Sequence, residues 1–361
     1  VGNNWIHDAH ALVFEPTMFK GFVSRAGHPL PRENVQTAVG QSAAIIIDCP
    51  PLQSSDVTPR YFVVGYTTEP PLIFSYVTVH NSLDNVTYIG KKTLAVAGKV
   101  GNVATALPNA LSFVWDDTNT ILVEFFDINN TLVSVTETDA LNGKTYASLG
   151  NEIIGYTTAT LVSSGRYTLS HLLRGRQGTE WACAGHGANE KFVSLNSTVT
   201  QGGRVTYSEM DIGLLEYYKF TDATTNIADP AALTQTFTGV AVKPWAPVLY
   251  LPFRDTPATN DVTLSWLHRS RLRDANWVDG TGIVYDVDDS HSYRVNIYSN
   301  SSYTTVVRST ITVAFGSAEG ERTLVYTSAQ QSTDFGSPQS TIYYGITSIA
   351  TISGYETRGS I

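Results

Sequence analysis

The segment Val262-Thr263-Leu264-Ser265-Trp266-Leu267 alternates apolar and polar side chains with a period of two residues. In an extended strand this period places Val262, Leu264 and Trp266 on one face. An α-helix would instead need apolar residues three and four positions apart. The segment therefore predicts a β-strand with one buried face.

Short runs rich in β-branched and aromatic residues follow this strand at close intervals. They are Tyr293–Ile297, Thr304–Val307, Thr310–Val313, Leu324–Tyr326 and Thr341–Tyr344. Six short strands over about 100 residues, with a tryptophan on an early strand, predict a fibronectin-III-like β-sandwich.

Strand patterns also dominate the chain before residue 240. Four short runs, each bounded by turn-forming residues, are Tyr61–Val64, Leu72–Val79, Leu111–Trp115 and Ile121–Phe126. Asp116–Asn119 and Asn142-Gly143 predict turns of the kind that join hairpin strands. Only Thr168–Leu173 and Leu214–Lys219 could form a turn or two of helix, so the predicted fold class is all-β, with tandem β-sandwich-like domains.

Three regions are predicted along the 361 residues. Residues 1–50 are irregular and are interpreted as an N-terminal connector. Residues 51–243 form one or more β-rich domains, and 244–361 form the fibronectin-III-like domain. The boundary is drawn at Val240–Pro247, because two closely spaced prolines favour an extended linker without ladder hydrogen bonds.

The composition excludes several classes of protein. A net charge of −9 argues against nucleic acid as a partner, since binding phosphates needs clustered Lys and Arg. No apolar run approaches the ~20 residues of a membrane-spanning helix. Cys49 and Cys183 are expected to be free, buried thiols, because two cysteines do not make a disulfide framework. Folding in a reducing compartment is the corresponding expectation.

No residue pattern predicts an enzyme or a cofactor. The paired carboxylates that a glycosidase would need are better explained as turn and capping residues; they are Asp116 with Asp117, Glu124 with Asp127, and Glu137 with Asp139. Asp286 and Asp288 begin a calcium-like loop that lacks its Gly and bidentate Glu, so an acidic turn is favoured and a bound cation stays open. His171, Cys183 and His186 do not have zinc-ligand spacing.

Arginine is concentrated in two segments of this charge-poor chain. Arg174 and Arg176 flank Gly175, and Arg269, Arg271 and Arg273 follow the Trp266 strand. Guanidinium groups bind carboxylates and backbone carbonyls in a forked geometry, so these arginines are expected at the seams between domains. A patch for polyanions is the alternative.

The first arginine segment belongs to an ordered set of motifs. The set starts with a Glu-led strand at Glu152, then gives Leu172-Leu173-Arg174-Gly175-Arg176-Gln177-Gly178-Thr179-Glu180, His186-Gly187 and Phe192-Val193. Pro244-Trp245-Ala246-Pro247, Trp266-Leu267-His268-Arg269-Ser270-Arg271 and Trp277 follow in order. In this order the sequence resembles the C-terminal region of the tail-tip proteins of phages and gene transfer agents, also called baseplate hub, host-specificity or central-fibre proteins. His268 departs from the family, which usually has Arg there.

The resemblance implies a structural part of a virion tail that is assembled in the bacterial cytoplasm. It also implies that the chain corresponds to the C-terminal segments of a longer hub architecture. It implies a homotrimer that contacts other tail and baseplate proteins and contributes to host attachment. Structural roles are expected for Arg174, Gly175, Arg176, Gly178, Thr179, Glu180, Trp266, Arg269 and Arg271. Glu152 and Glu180 are the expected partners of the signature arginines.

A carbohydrate-binding adhesion module is the alternative function, because glycan sites usually expose aromatic side chains. Trp277 is the candidate glycan contact, and Trp5 and Trp181 are further choices. A cell-wall hydrolase is the third and least favoured interpretation. No cofactor, catalytic residue, metal site, nucleic-acid partner or membrane span is expected.

Overall fold

The computed structural model describes residues 42–52, 56, 58–68, 73–195, 202–255, 258–267, 269, 291–313 and 321–350. These residues form an all-β protein, which confirms the predicted fold class. Two short α-helices interrupt the strands: α1, Glu137–Leu141, and α2, Ser328–Phe335. No helix within these ranges is long and apolar enough to cross a membrane.

The strands are numbered in chain order. They are β1 Ser42–Ile47, β2 Arg60–Thr67, β3 Val77–Ser82, β4 Ile89–Leu94, β5 Val100–Val103, β6 Trp115–Asp116, β7 Ile121–Phe125, β8 Ala147–Leu149, β9 Glu152–Ser163, β10 Arg166–Arg176, β11 Lys191–Ser194, β12 Arg204–Thr206, β13 Leu215–Thr221, β14 Leu233–Thr236, β15 Val248–Asp255, β16 Asp261–Leu267, β17 His291–Tyr298, β18 Val306–Val313, β19 Glu321–Tyr326 and β20 Tyr343–Ala350.

The central sheet closes on itself. Its strand order is β6-β10-β7-β5-β11-β8-β9, and β9 also pairs with β10. The long β9–β10 hairpin allows this closure, because β9 reaches β8 at one end and follows β10 along its length. Alternate residues of the closed sheet point inward, among them Val123, Leu169 and Phe192, and they form its fully buried core.

Strand β2 connects the closed sheet to its neighbours, because both of its faces are buried. Phe62 and Val64 pack toward the closed sheet with Val193. Tyr61 and Val63 face the opposite side, where the β14-β13-β3-β4 sheet contributes its own apolar face. The near-continuous apolar sequence of β2 reflects this burial on two sides.

The C-terminal strands form a sandwich of two three-stranded sheets, β15-β16-β19 and β18-β17-β20. Val262, Leu264 and Trp266 are all buried between them, as the period-two pattern predicts. The Trp266 ring meets the Tyr293 ring edge-on, with centroids 5.3 Å apart. The core therefore forms around the tryptophan of the second strand, β16.

Three local predictions were wrong. Leu111–Val114 is not a strand but an exposed loop, and only Trp115–Asp116 pairs with β10. Leu215–Thr221 is strand β13 rather than a helical turn, because it pairs on both sides with β3 and β14. Asn142-Gly143 lies at the C-terminal end of α1 and does not join two hairpin strands. Gly143 has a positive φ of +83°, which suits a helix C-terminus.

The segment Thr168–Leu173, also considered for a short helix, lies within β10. Ser42–Ile47 falls in the range assigned to the connector, yet it forms β1 and pairs antiparallel with β2. The region boundaries drawn from the sequence stay predictions.

Candidate functional site: the Arg174 network

Arg174 and Glu152 form a fully buried ion pair inside the closed sheet. Glu152 begins β9 and Arg174 lies near the end of β10, so the antiparallel hairpin brings them together. Arg174 Nε donates to Glu152 Oε1 at 2.8 Å, and Nη2 donates to Oε2 at 3.0 Å. Both side chains are 0% exposed. This is the bidentate geometry that a planar guanidinium favours.

A β-bulge creates the geometry of this pair. Leu173 pairs with Gly155 and Arg176 with Ile153, so three steps on β10 match two on β9. Gly175, inside the bulge, has a φ of +60°, which side chains other than glycine rarely adopt. Its backbone N–H donates to Glu152 Oε1 at 2.7 Å. The Arg-Gly-Arg motif therefore supplies both a guanidinium and a backbone donor to one carboxylate.

His186 extends the pair into a network. Its Nε2 lies 2.6 Å from Glu152 Oε2, and its Nδ1 lies 2.9 Å from Glu190 Oε2. Ionised carboxylates only accept hydrogen bonds, so both ring nitrogens must carry a proton. His186 is therefore an imidazolium that bridges two glutamates.

The remaining guanidinium edge of Arg174 fixes a loop. Nη1 donates to the Pro108 carbonyl at 3.0 Å and lies 3.4 Å from Asp116 Oδ2. The Cys183 thiol also points to Glu152 Oε1, at 3.4 Å. We call Asp116, Glu152, Arg174, Cys183, His186 and Glu190, with the Gly175 N–H and the Pro108 carbonyl, the Arg174 network.

In this network, hydrogen bonds and nearby charges outweigh the effect of burial on the pKa values of Glu152 and His186. Burial alone would raise the pKa of Glu152, but hydrogen bonds from His186 and Arg174 hold it below its usual range. Burial would lower the pKa of His186, yet the bonds and charges of Glu152 and Glu190 raise it. Burial, followed by the Glu152 charge, raises the pKa of the Cys183 thiol, which stays protonated at neutral pH.

The central carboxylate of the network, Glu152, is fully engaged by protein groups. Each Glu152 oxygen has at least two polar partners, and the carboxylate is completely buried. Within the described ranges, no group of three His, Cys, Asp or Glu side chains could hold a metal ion. Cys49 and Cys183 are free, buried thiols, as expected from the sequence.

The rest of the signature forms the turn that follows β10. Thr179 Oγ1 donates to the Arg176 carbonyl at 2.7 Å and accepts from the Ile153 N–H at 2.9 Å, which ties the turn back to β9. Gly178 has a φ of +79°, and a Cβ there would lie 2.5 Å from Trp245 Cδ1. Arg176 is half-buried, and its Nε has no hydrogen-bond partner within the described chain.

Glu180 connects this turn to the second arginine segment. Arg269 Nη2 lies 2.7 Å from Glu180 Oε1, and its guanidinium stands over the Trp245 ring at 5.1 Å. Arg269 Nη1 also donates to the Ala246 carbonyl at 3.4 Å. We call the contacts among Gly178, Glu180, Trp245, Ala246 and Arg269 the joint, because they link the closed sheet to the chain around β16.

Other predicted site residues lie apart from the network. Trp266 lies in the core of the C-terminal sandwich. Arg271, Trp277, Asp286, Asp288 and Trp5 lie outside the described residues. Trp181 is 40% exposed in the short helical turn Glu180–Ala182.

The candidate carboxylate pairs are mostly engaged with other groups. Asp116 accepts from the backbone N–H groups of Thr118 and Asn119, as expected for a turn residue, in addition to contacting Arg174. Glu124 pairs with Arg166 and Asp139 with Lys144 at the surface. Asp116 is thus engaged in a turn, and Glu124 and Asp139 in surface ion pairs.

A second charged group was not expected from the sequence. Asp117 and Glu137 both contact the His171 ring, which stacks on Trp115 with centroids 4.1 Å apart. The hydrogen bond that the His171 ring donates to Asp117, opposed by desolvation and supported by Glu137, raises the pKa of His171. His171 has a positive φ of +54°, a strained value for a residue within a strand.

A shallow cleft lies beside the closed sheet, with a volume of about 340 Å³. Strand β1, the turn between β8 and β9, strand β11 and strand β14 each contribute to its wall. Its polar side chains include Asp48, Asn151, Glu190 and Gln235, and its apolar ones include Ile45. This volume is at the lower end of the range for small-molecule sites.

Sequence reasoning missed part of the network. His186 was noted as a motif residue, but neither His186 nor Glu190 was predicted as part of a network with Glu152, and no pattern pointed to Pro108. The spacing of His186 and Glu190, four residues apart around a turn, does not by itself indicate a shared partner. Only the closure of the sheet brings residues 108, 116, 152, 174 and 186 to one point.

Comparison with known families adds one match. Residues 98–193 match a family model described as Rcc01698-like, C-terminal. The matched range begins before β5 and ends within β11, so it contains the closed sheet except Ser194, and all of the Arg174 network. No curated protein matches the chain.

Proposed function

We propose that this protein is a structural component of a phage-like virion tail tip, as part of a baseplate hub or central fibre. The observation that supports the proposal most is the placement of the signature. Arg174 of the signature forms a buried ion pair with Glu152, extended by His186, within the range that the Rcc01698-like, C-terminal model matches. Such an arrangement suits a part that must keep its shape, because the removal of either partner of a buried ion pair leaves an uncompensated charge.

The proposal includes the partners and the location that the motif resemblance implies. The chain forms a homotrimer around the tail axis, contacts other tail and baseplate proteins, and contributes to host attachment. Assembly takes place in the bacterial cytoplasm, and the finished protein belongs to the virion tail. It acts without a cofactor, as a non-enzymatic protein.

Imaging of intact particles tests this function. A small tag inserted at the exposed Val86 turn, far along the chain from the network, would be labelled and located by electron microscopy. We expect label at the distal end of the tail. Label on the capsid, or particles that contain none of this chain, would contradict the proposal.

A carbohydrate-binding role is the second candidate, and the cleft beside β1 favours it. Carboxylate and amide side chains bind sugar hydroxyls, and Asp48, Asn151 and Gln235 line the cleft next to Ile45. On a glycan array we expect binding that Gln235→Ala weakens. Loss with Trp277→Ala alone would move the site to that tryptophan, and a silent array would reject the role.

A further inference from the structure

The segment between β7 and α1 lies along an edge of β9. Strand β8 pairs only with the first three residues of β9, and no other strand of the described chain covers the rest of that edge. The Val135 N–H donates to the Thr157 carbonyl at 2.7 Å, and the Ala159 N–H donates to Ser134 Oγ at 3.0 Å. We call residues 131–135 the strap, because they occupy an edge that would otherwise present free backbone groups.

The strap is fixed at its start and continues into α1 at its end. Leu132 packs on the core of the closed sheet, and Lys99 Nζ donates to the Thr131 carbonyl at 2.6 Å. Beyond α1, Thr145 Oγ1 donates to the Tyr156 carbonyl at 2.6 Å, so the far side of the helix is also held on β9. The start of α1 lies between these two anchors.

His171 holds the start of α1 through its ring. Its Nε2 lies 3.1 Å from Oε1 of Glu137, the first residue of α1, and its Nδ1 bonds to Asp117, directly after β6. The ring stacks on Trp115 with centroids 4.1 Å apart and planes 8° apart. One side chain of β10 therefore connects α1 to the turn after β6.

The other charged groups on these elements are engaged elsewhere. Asp116 of β6 contacts Arg174 of β10, and Asp139 of α1 pairs with Lys144. The remaining charged residues of β9 and β10 are Glu152, which pairs with Arg174, Arg166, which pairs with Glu124, and Arg176 at the end of β10. The charges that act on the His171 ring are those of Asp117 and Glu137.

Holding both carboxylates at once requires a charged ring. Ionised carboxylates only accept hydrogen bonds, and a neutral imidazole has a single N–H, so only the imidazolium can donate to Asp117 and Glu137 together. The bond to Asp117 contributes most to the raised pKa of His171. A neutral ring therefore keeps its remaining proton on the Asp117 side, and the contact with Glu137 is the one that is lost.

We propose that His171 is a proton-dependent latch that ties α1 and the strap to the closed sheet and releases them when the ring becomes neutral. The latch is closed below the unfolded histidine pKa of about 6.5 and opens as pH rises through the raised pKa of the folded protein. Release loosens the strap where it joins α1 and uncovers the edge of β9 at Thr157 and Ala159. The inference does not depend on the proposed function.

Hydrogen exchange of the full chain, measured by NMR from about pH 5.5 to about pH 8.5, tests the latch. Each rate is divided by the rate of the unprotected amide at the same pH. The Val135, Ala159 and Ala140 amides report on the strap and α1, and the Phe220 amide of β13 is the reference. The chemical shifts of His171 give its titration midpoint in the same samples.

We expect the protection of the strap and α1 amides to fall roughly three- to tenfold as pH passes the His171 midpoint, since the partners are partly exposed carboxylates. Protection of the reference amide should not change. Strap amides whose protection stays constant while His171 titrates would overturn the inference.

Two substitutions in the first turn of α1 form a matched pair. Glu137→Ala and Asp139→Ala each remove one acidic side chain from that turn, but only Glu137 contacts His171. Glu137→Ala should leave the strap amides at the fast level at every pH, and Asp139→Ala should keep the pH dependence. Equal behaviour of the two variants would contradict the latch.

Two histidine variants separate the latch from the Arg174 network. His171→Asn removes the charge and keeps a residue type that tolerates the positive φ at this position, so strap exchange should be fast at low pH as well. His186→Gln should leave the pH dependence of the strap unchanged. Its disappearance in His186→Gln would assign the effect to the network and overturn the inference. If His171→Asn fails to fold, the pair at Glu137 and Asp139 still decides.

Discussion

Arg174 and Arg166 lie on the same strand, but their ion pairs differ in burial and are therefore expected to contribute differently to the stability of the fold. Arg166 and Glu124 are each 44% exposed, so water screens the pair and the side chains lose entropy when they associate. Arg174 and Glu152 are fully buried and share further donors. The loss of one buried partner leaves the other as an uncompensated charge.

We therefore expect Arg174→Ala to destabilise the protein by about 3–5 kcal/mol, as for other broken buried pairs. Arg166→Ala is the matched control, with an expected loss below about 1 kcal/mol. Urea titrations followed by circular dichroism compare the two variants with the parent protein. Equal losses for both variants would refute the buried network as the stabilising element.

His186 should give the network a pH dependence. Its pKa in the folded protein is raised, so its contribution is fully present below the unfolded value of about 6.5 and is lost as pH rises through the folded pKa. Glu152 has the opposite sign, because its pKa is lowered and its contribution is lost only as pH falls through that value. Both contributions are present together in mildly acidic solution.

We expect the stability difference between the parent protein and His186→Gln to be largest near pH 6 and to shrink as the solution becomes alkaline. Urea midpoints over a pH series give this difference, and the NMR shifts of His186 give its titration. A His186 midpoint below about 6.5 would show that the imidazolium bridge is absent.

At the scale of elements, the strands that have one buried face were the easiest to predict. Val262–Leu267 alternates strictly, and its three apolar residues are buried together. Leu111–Trp115 has equally suitable side chains, yet only Trp115 joins a strand, and Leu111, Phe113 and Val114 are exposed. Strand formation needs a paired neighbour, and residue preference alone does not reveal one.

Helix α2 shows a signal in the sequence that was overlooked. Thr327 Oγ1 accepts from the Gln330 N–H at 3.2 Å, and Gln330 Oε1 accepts from the Thr327 N–H at 3.0 Å. Gly336 ends the helix with a φ of +82°. A Thr-x-x-Gln capping box followed by a C-terminal glycine predicts a short helix even without an apolar stripe.

Thr327→Ala should weaken α2 by about 1 kcal/mol, because the N-cap hydrogen bond is lost. Thr333→Ala is the control on the same helix, and alanine is at least as favourable as threonine at that interior position. Hydrogen exchange of the α2 amides should accelerate in Thr327→Ala alone. Unchanged exchange in Thr327→Ala would mean that packing, rather than the cap, sets the stability of α2.

At the scale of the whole molecule, the joint connects two parts that lie far apart in sequence. Gly178 packs directly on Trp245, and Arg269 contacts both Trp245 and Glu180. The sequence predicted arginines at domain seams and Glu152 and Glu180 as partners of the signature arginines. Glu152 does pair with Arg174, whereas Glu180 pairs with Arg269, which lies over the Trp245 ring. Those partners depend on how the turn after β10 and the chain after β16 approach each other.

Gly178→Ala should disturb the joint, since the new Cβ would lie within 3 Å of the Trp245 ring and the backbone has a positive φ. A strained left-handed residue costs about 1–3 kcal/mol. Gly187→Ala is the control, because no atom lies within 4 Å of its Cβ position. Trp245 fluorescence and thermal unfolding should change in Gly178→Ala only, and equal behaviour of the two variants would contradict the joint.

The copy number and symmetry of this chain in an intact particle test the central proposal most directly. Cryo-electron microscopy of purified particles would locate each copy of the chain by fitting the closed sheet of β5 to β11 into the density map. We predict three copies related by a three-fold axis at the distal end of the tail. A single copy without symmetry, or density for the chain away from the tail, would contradict the account.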